Sequence, residues 1–145
     1  MIFMSSCDND NIGLGGSQTP ENIFSGNEWE SKYINHEGLL LHYFKLSFTT
    51  NGFTLYEKTD YPASKNENTF TGTYNLSVDD IFKSNILVLK SDIPTLSGQI
   101  YYEYYKKNTE VSMYYGEPAQ EGDLIFYGTP TGSTVKLPNK FTKIN

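Results

Sequence analysis

The sequence predicts an all-β protein: a single antiparallel up-and-down β-barrel of about eight strands, with a β-sandwich as the alternative architecture. Short segments rich in aromatic and β-branched residues recur about every ten residues, separated by turn sequences. Within these segments apolar and polar residues alternate, as in a strand that buries one face. The long connections that a Greek-key sandwich requires are nearly absent, which favours the barrel.

Length and charge narrow the function classes. The chain has 145 residues, which fits one domain, and aromatic residues make up 15% of it. All 11 basic residues are lysine and the net charge is −6. We therefore expect no nucleic-acid partner, because such binding requires a basic surface and usually arginine.

The first seven residues predict a lipid anchor. Met1 to Ser6 lead through apolar and small residues to Cys7, which is the only cysteine. This pattern resembles the end of a bacterial lipoprotein signal peptide, in which the cysteine is acylated. The apolar part is shorter than a working signal, which leaves two alternatives: the start codon lies upstream, or the match arises by chance. The acidic run Asp8 to Asn11 resembles the tag that follows the acylated cysteine in surface-exposed lipoproteins of Bacteroidetes.

Three parts of the chain follow from this interpretation. Residues 1–7 are expected to be a signal remnant, residues 8–28 a flexible acidic tether, and residues 29–145 the barrel domain. Ile23-Phe24, within the tether, forms an isolated apolar pair that is able to dock on the domain.

The first half of the domain shows the clearest alternation. Trp29 to Ile34 predicts the first strand, and Leu40 to Thr49 the second. The second strand places on its expected interior face Leu40, His42, Phe44, Leu46 and Phe48. Asn51-Gly52 predicts a hairpin turn into a third strand, Phe53 to Lys58. Asp60 to Asn68 is polar and contains a proline, which predicts a loop.

A fourth strand is expected at Thr69 to Leu76, with Gly72 marking a bend or a close approach. Ser77 to Asp80 matches a capping box and predicts a short helical turn over residues 78–84. The apolar run Ile86 to Leu89 predicts a strand buried on both faces.

Gly98 to Gly116 concentrates six tyrosines and predicts a hairpin with its turn at Lys107 to Thr109. Alternation puts Ile100, Tyr102 and Tyr104 on the inner face. The outer face then carries Tyr101, Glu103 and Tyr105. Short strands are expected at residues 123–128 and, partly paired, at residues 135–137 and 141–144.

Taken together, the first-strand tryptophan, the successive hairpins, the Thr71-Gly72-Thr73-Tyr74 strand and the cysteine resemble the lipocalin-like lipoproteins of Bacteroidetes. The resemblance implies a barrel around a small-ligand cavity and supplies no catalytic residues. It also implies that the protein is an outer-membrane lipoprotein of the cell envelope. It would face either the periplasm or the cell surface.

Two hypotheses for function remain from the sequence. One is a barrel that binds a small apolar or sugar-like ligand, with its candidate pocket formed by Trp29, His42, Phe44, Tyr74, Tyr102 and Tyr104. The other is a surface module that binds a protein or a glycan through a patch containing Tyr101 and Tyr105. The membrane is expected to be a partner only through the anchor.

Catalysis, cofactors and metals are not expected. His36, His42 and Cys7 are the whole stock of histidine and cysteine, too few and too scattered for a zinc site. Neither histidine lies in a nucleophile motif, and no calcium-loop spacing is present. His42 stands out as a polar residue on an apolar face, and a hydrogen-bonded interior histidine is its ordinary explanation.

Overall fold

A computed structural model describes residues 19–106 and 119–144, and they form a closed eight-stranded barrel. The strands are β1 (Glu28–Ile34), β2 (Leu40–Phe48), β3 (Gly52–Tyr61), β4 (Ser64–Val78), β5 (Asn85–Ser91), β6 (Gly98–Tyr104), β7 (Leu124–Tyr127) and β8 (Lys140–Lys143). Each strand pairs antiparallel with the next, and β8 pairs with β1. The up-and-down barrel is thereby confirmed and the sandwich alternative is wrong.

The strand order defines the two ends of the molecule. Since successive strands run in opposite directions, the connections after β2, β4 and β6 lie at the end where β1 begins. We call this the N-terminal end. The connections after β1, β3, β5 and β7 lie at the opposite, far end.

The core follows the predicted alternation. Phe44, Leu46 and Phe48 of β2 are buried, and so are Phe53 and Leu55 of β3. The pairing starts at the Asn51-Gly52 turn with Phe48 opposite Phe53, so the inner residues of the two strands meet in register. A period of two and a correctly placed turn are sufficient to fix these faces.

The loop predicted at residues 60–68 is instead a hairpin. β3 continues to Tyr61 and β4 begins at Ser64, with Tyr61 paired to Ser64 across a two-residue turn that starts at Pro62. Proline fits the first turn position because its φ is already near the required value. The side chains of residues 62–69 are exposed. The segment is therefore polar in composition even though its backbone is paired as a strand.

Gly72 confirms the expected close approach. A Cβ at this position would lie 2.1 Å from the carbonyl oxygen of Lys90 and 2.6 Å from Cα of Ser91. The short turn expected at residues 78–84 is present as a single hydrogen-bonded turn: the Lys83 amide donates to the Asp79 carbonyl oxygen at 2.9 Å, and the Asp79 carboxylate accepts from the amides of Ile81 and Phe82 as at the start of a helix. It is not continued into a helix. The 3-10 helix among the described residues lies at Pro94–Leu96.

The tyrosine stretch has the predicted faces but a different partner. Ile100 and Tyr102 are buried and Tyr104 packs partly buried on the core, whereas Tyr101 is exposed. β6 lies between β5 and β7, so its second neighbour is a later segment and not the expected return strand. The predicted turn and return strand fall within residues 107–118, outside the described residues.

The barrel has a contribution from before its first strand. Phe24, which the sequence places in the tether as part of an apolar pair able to dock, is fully buried in the core. Near the other terminus, residues 135–137 form no strand, but Leu137 is buried against the core. None of the helical segments among residues 19–106 and 119–144 is long and apolar enough to cross a membrane.

Candidate functional site

Four strands project beyond the packed core at the far end. On β1 to β4, one layer of the core near this end is formed by Trp29, Leu46, Leu55 and Phe70. Phe44 is buried two residues further towards the far end. Beyond it these strands remain paired through Ile34, Leu40, Tyr61 and Ser64. This part of the sheet has an inner face that continues the inner wall of the barrel but carries polar side chains.

Pairing register identifies those side chains. Phe44 lies opposite Ser31 on one side and Glu57 on the other. His42, two residues earlier, lies opposite Thr59. Since directly paired residues share a face, these side chains point to the same side as the core. We refer to Ser31, His42, Glu57, Thr59 and Tyr61 as the far-end cluster.

A histidine–carboxylate pair lies at the centre of the far-end cluster. Nε2 of His42 lies 2.7 Å from Oε2 of Glu57, and their side chains are 25% and 18% exposed. The imidazole ring stacks on Phe44 with a centroid distance of 4.4 Å, and Tyr61 approaches it edge-on at 6.0 Å. One face of the pair is thus packed while ring and carboxylate edges remain accessible.

The far-end cluster retains unused hydrogen-bonding capacity. Oε1 of Glu57 and Nδ1 of His42 make no hydrogen bond to any residue that the structure describes. A carboxylate oxygen accepts, and an imidazole nitrogen donates or accepts according to its tautomer. The Tyr61 hydroxyl adds a donor and an acceptor, and the Thr59 hydroxyl, which donates to the carbonyl oxygen of Asn66 at 3.5 Å, adds an acceptor. The cluster therefore presents hydrogen-bond donors and acceptors side by side at the far end.

At the N-terminal end Phe24 inserts among the aromatic side chains of the core. Phe24 packs against Phe48 at 4.7 Å, Tyr102 at 5.0 Å, Trp29 at 5.6 Å and Tyr74 at 6.1 Å between ring centroids. Asn22 orients this insertion, because its Oδ1 accepts a hydrogen bond from the Phe24 amide at 2.9 Å. Space between the strands at this end is occupied by an aromatic ring of the chain itself.

The six residues of the predicted pocket therefore do not form one site. Trp29, Tyr74 and Tyr102 surround Phe24, and Tyr104 packs partly buried against the core. The remaining two, His42 and Phe44, lie at the far end. Sequence reasoning separated inner from outer residues but carried no information on height along the barrel.

Two of the buried residues have satisfied polar groups. Nε1 of Trp29 donates to the carbonyl oxygen of Gly122 at 2.9 Å. The Tyr74 hydroxyl lies 2.9 Å from the carbonyl oxygen of Thr49 and accepts from the Asn22 side chain at 3.1 Å. These bonds join the N-terminal segment and two connections to the core.

Tyr102 is the exception. Its side chain is buried, and its hydroxyl has no hydrogen-bond partner among the described residues. Burial raises the pKa of Tyr102 to about 12, because the charged phenolate would lose its hydration. The hydroxyl therefore stays protonated at neutral pH inside an aromatic environment.

The expected surface patch lies on the outer wall. Tyr101 is 42% exposed and lines an open groove of about 530 Å3 with Phe82 and Tyr127. Tyr105 follows the end of β6 and is half-buried, with its backbone bonded to Asp123 and Gly122. The groove is thus built around Tyr101 and the β4–β5 turn, not around the two tyrosines together.

Metal-ligating side chains are not clustered in the described part of the chain. Over residues 19–106 and 119–144, no group of three or more histidine, cysteine, aspartate or glutamate side chains is arranged to hold a metal ion. Cys7, the predicted acylation site, lies outside this part of the chain.

Sequence reasoning identified His42 and missed Glu57. The missing signal was the hairpin register: counting outward from the Asn51-Gly52 turn puts His42 opposite Thr59, with Glu57 as its diagonal neighbour. Comparison of the chain with protein-family models, curated proteins and solved structures finds no match.

Proposed function

We propose that this protein is a cell-envelope lipoprotein, acylated at Cys7, whose barrel binds a small polar, sugar-like ligand at the far-end cluster. The observation that carries the proposal is the partly exposed His42–Glu57 pair, which is stacked on Phe44 at the rim of the hydrophobic core.

The chemistry of the cluster favours a sugar over an apolar ligand. A sugar presents hydroxyl groups, which need acceptors and donors such as Glu57 Oε1, His42 and Tyr61. Its apolar ring faces pack on aromatic side chains. An apolar ligand would gain little here, because it would desolvate the carboxylate without pairing it.

The same groups argue for binding without catalysis. Glu57 is the acidic member of the cluster, whereas glycoside hydrolysis ordinarily requires two carboxyl groups across the scissile bond. No serine or cysteine nucleophile is hydrogen-bonded to His42 in the described part of the chain. We therefore propose a carrier or receptor role.

The anchor and the ligand site would lie at opposite ends. The N-terminal segment enters the barrel beside Asn22 and Phe24, at the end remote from His42. Acylation of Cys7 would hold that end towards the membrane. The far-end cluster would then face the aqueous phase, where a sugar is available.

Ligand binding is tested with a panel of mono- and disaccharides by isothermal titration calorimetry. A sugar that binds should lose about tenfold or more in affinity with His42→Ala or Glu57→Gln, because each change leaves a polar ligand group unpaired. His36→Ala is the matched control, since His36 is exposed in the β1–β2 connection. Equal losses in the His36 and His42 variants, or no binding across the panel, would count against a sugar site.

Acylation is tested separately in cells that express the gene with its full leader. Incorporation of an alkyne-labelled fatty acid should require Cys7, and Cys7→Ala should release the protein from the membrane fraction. Retention of unlabelled Cys7→Ala protein in that fraction would contradict the anchor.

A further inference from the structure

The turn between β4 and β5 exposes two large apolar side chains. Ile81 and Phe82 are each 78% exposed, more than any other large apolar side chain that the structure describes. Phe82 lines the outer groove together with Tyr101 and Tyr127, which extends the apolar surface onto the barrel wall. Single exposed apolar residues are common, whereas two adjacent ones that continue into a groove form a larger apolar surface, of the kind found at contact sites.

The turn is held in place by hydrogen bonds. The Asp79 carboxylate accepts from the amides of Ile81 at 3.1 Å and Phe82 at 2.6 Å. The Asp79 backbone bonds Ser84 at 2.8 Å and Lys83 at 2.9 Å. Lys83 has a φ of 58°, a conformation that is unfavourable for a side chain other than glycine. The backbone therefore presents both apolar side chains outward in a defined arrangement.

Position relates this turn to the proposed anchor. The β4–β5 connection and the start of β1 lie at the same end of the barrel. Thr19 and Asn22 line a groove with Asn75 and Leu76, so the first described residues run beside the strand that leads into the turn. Even fully extended, the chain from Cys7 to Thr19 spans at most about 40 Å. A bilayer holding an acylated Cys7 is therefore within reach of this end.

We propose that the Ile81–Phe82 turn inserts into the interfacial region of the bilayer that carries the Cys7 anchor, as a second contact. This inference rests on the proposed acylation. Side chains of this kind enter the boundary between headgroups and acyl chains, where apolar burial is favourable. The anchor and the turn together would fix the N-terminal end against the membrane and direct the far-end cluster away from it.

Charge determines the type of contact. The turn carries Asp79 and Asp80 against Lys83, and the whole chain has a net charge of −6. Attraction to anionic lipid is therefore not the driving force. The contact should form on zwitterionic phosphatidylcholine and should be insensitive to ionic strength, because apolar burial is not screened by salt.

The experiment supplies the anchor chemically. Cys7 is the only cysteine, so the chain can be coupled to a maleimide lipid in phosphatidylcholine vesicles. Phe82→Trp places a fluorescent reporter at the turn, while Trp29 is fully buried and gives a constant background. Leu39→Trp is the matched control, because Leu39 is 55% exposed in the β1–β2 connection at the far end. Brominated phosphatidylcholine then reports contact of each tryptophan with the acyl region.

The Phe82→Trp emission should shift to shorter wavelength and be quenched, whereas that of Leu39→Trp should not change. Adding Ile81→Ser should lower the ratio of docked to undocked protein by about tenfold, as expected for the loss of one buried aliphatic side chain. Equal quenching at both positions, no quenching at position 82, or quenching abolished by salt would overturn the proposal. Absence of quenching at position 82 would leave the turn as a surface for a protein partner.

The result is independent of acylation in cells, because the anchor is attached by maleimide chemistry. Failure of fatty-acid labelling would refute the lipoprotein proposal without altering the vesicle result. Failure of quenching would refute the second contact and leave the anchor intact.

Discussion

Phe24→Ala tests whether the N-terminal segment closes the barrel. Phe24 is fully buried and contacts four aromatic rings with centroid distances from 4.7 to 6.1 Å. Truncation of a core phenylalanine costs about 3–5 kcal/mol, which includes the cavity left behind. Each aromatic pair adds about 0.5–1.5 kcal/mol beyond burial, although the terms are not additive. We expect a loss of about 4 kcal/mol in the free energy of unfolding.

Urea denaturation followed by Trp29 fluorescence measures this loss, since Trp29 packs on Phe24 at 5.6 Å and reports its environment. Phe82→Ala is the matched control: it makes the same chemical change at a site that is 78% exposed. That variant should change stability by no more than about 0.5 kcal/mol. If Phe24→Ala costs no more than Phe82→Ala, the segment does not contribute to the core and our account of the N-terminal end fails.

Three further changes test the strand faces and the buried hydroxyl. Gly72→Ala should lower the free energy of unfolding by about 1–3 kcal/mol, because its Cβ would meet the backbone of β5. Thr73→Ala, at the exposed position next to it, should leave the free energy of unfolding nearly unchanged, and equal losses in the two variants would refute the close approach. Tyr102→Ala should destabilise the protein by about 3–5 kcal/mol and Tyr101→Ala by much less, and the reverse order would mean that the faces of β6 are exchanged. Tyr102→Phe should raise the free energy of unfolding at pH 7 by about 1 kcal/mol, because it removes an unpaired buried hydroxyl. The pKa of Tyr102 is raised by burial to about 12 in the folded chain, so wild-type stability should fall from about pH 10 to pH 12, where only the unfolded chain releases the proton. Urea titrations across that range should show a smaller fall for Tyr102→Phe than for the Tyr101→Phe control, and equal falls would contradict the assignment.

Local patterns were sufficient to predict the barrel and much of its inner face. Alternation over β2 identified Phe44, Leu46 and Phe48 as interior, and the Asn51-Gly52 turn set the register with β3. Both signals act over a few residues, and burial of one face leaves no alternative register.

The errors have a different physical origin. Residues 60–68 were expected to be a loop because they are polar, yet they form a backbone-paired hairpin in which Lys65 and Asp60 also form an ion pair, and most of its side chains are exposed. Phe24 occupies the core as a single inserted side chain, which has no period to detect. The pairing of β6 with β7 spans residues 107–118, and strand partners that distant leave no local signature.

The candidate site was only partly predictable for the same reason. His42 was visible as a polar residue on an apolar face, whereas its bond to Glu57 depends on the diagonal across a hairpin. Three aromatic residues of the predicted pocket instead surround Phe24 at the N-terminal end. Phe24 lies outside every strand, so strand patterns could not place it there.

The central claim, a polar ligand site at the far end of the barrel, is tested most directly by the histidine ring signals in an NMR titration. The chain has two histidines: His42 in the far-end cluster and exposed His36 in the β1–β2 connection. Addition of a saccharide that binds should shift the ring signals of His42 in a saturable manner and leave those of His36 in place. Saturable binding that leaves the His42 signals unmoved would contradict the account.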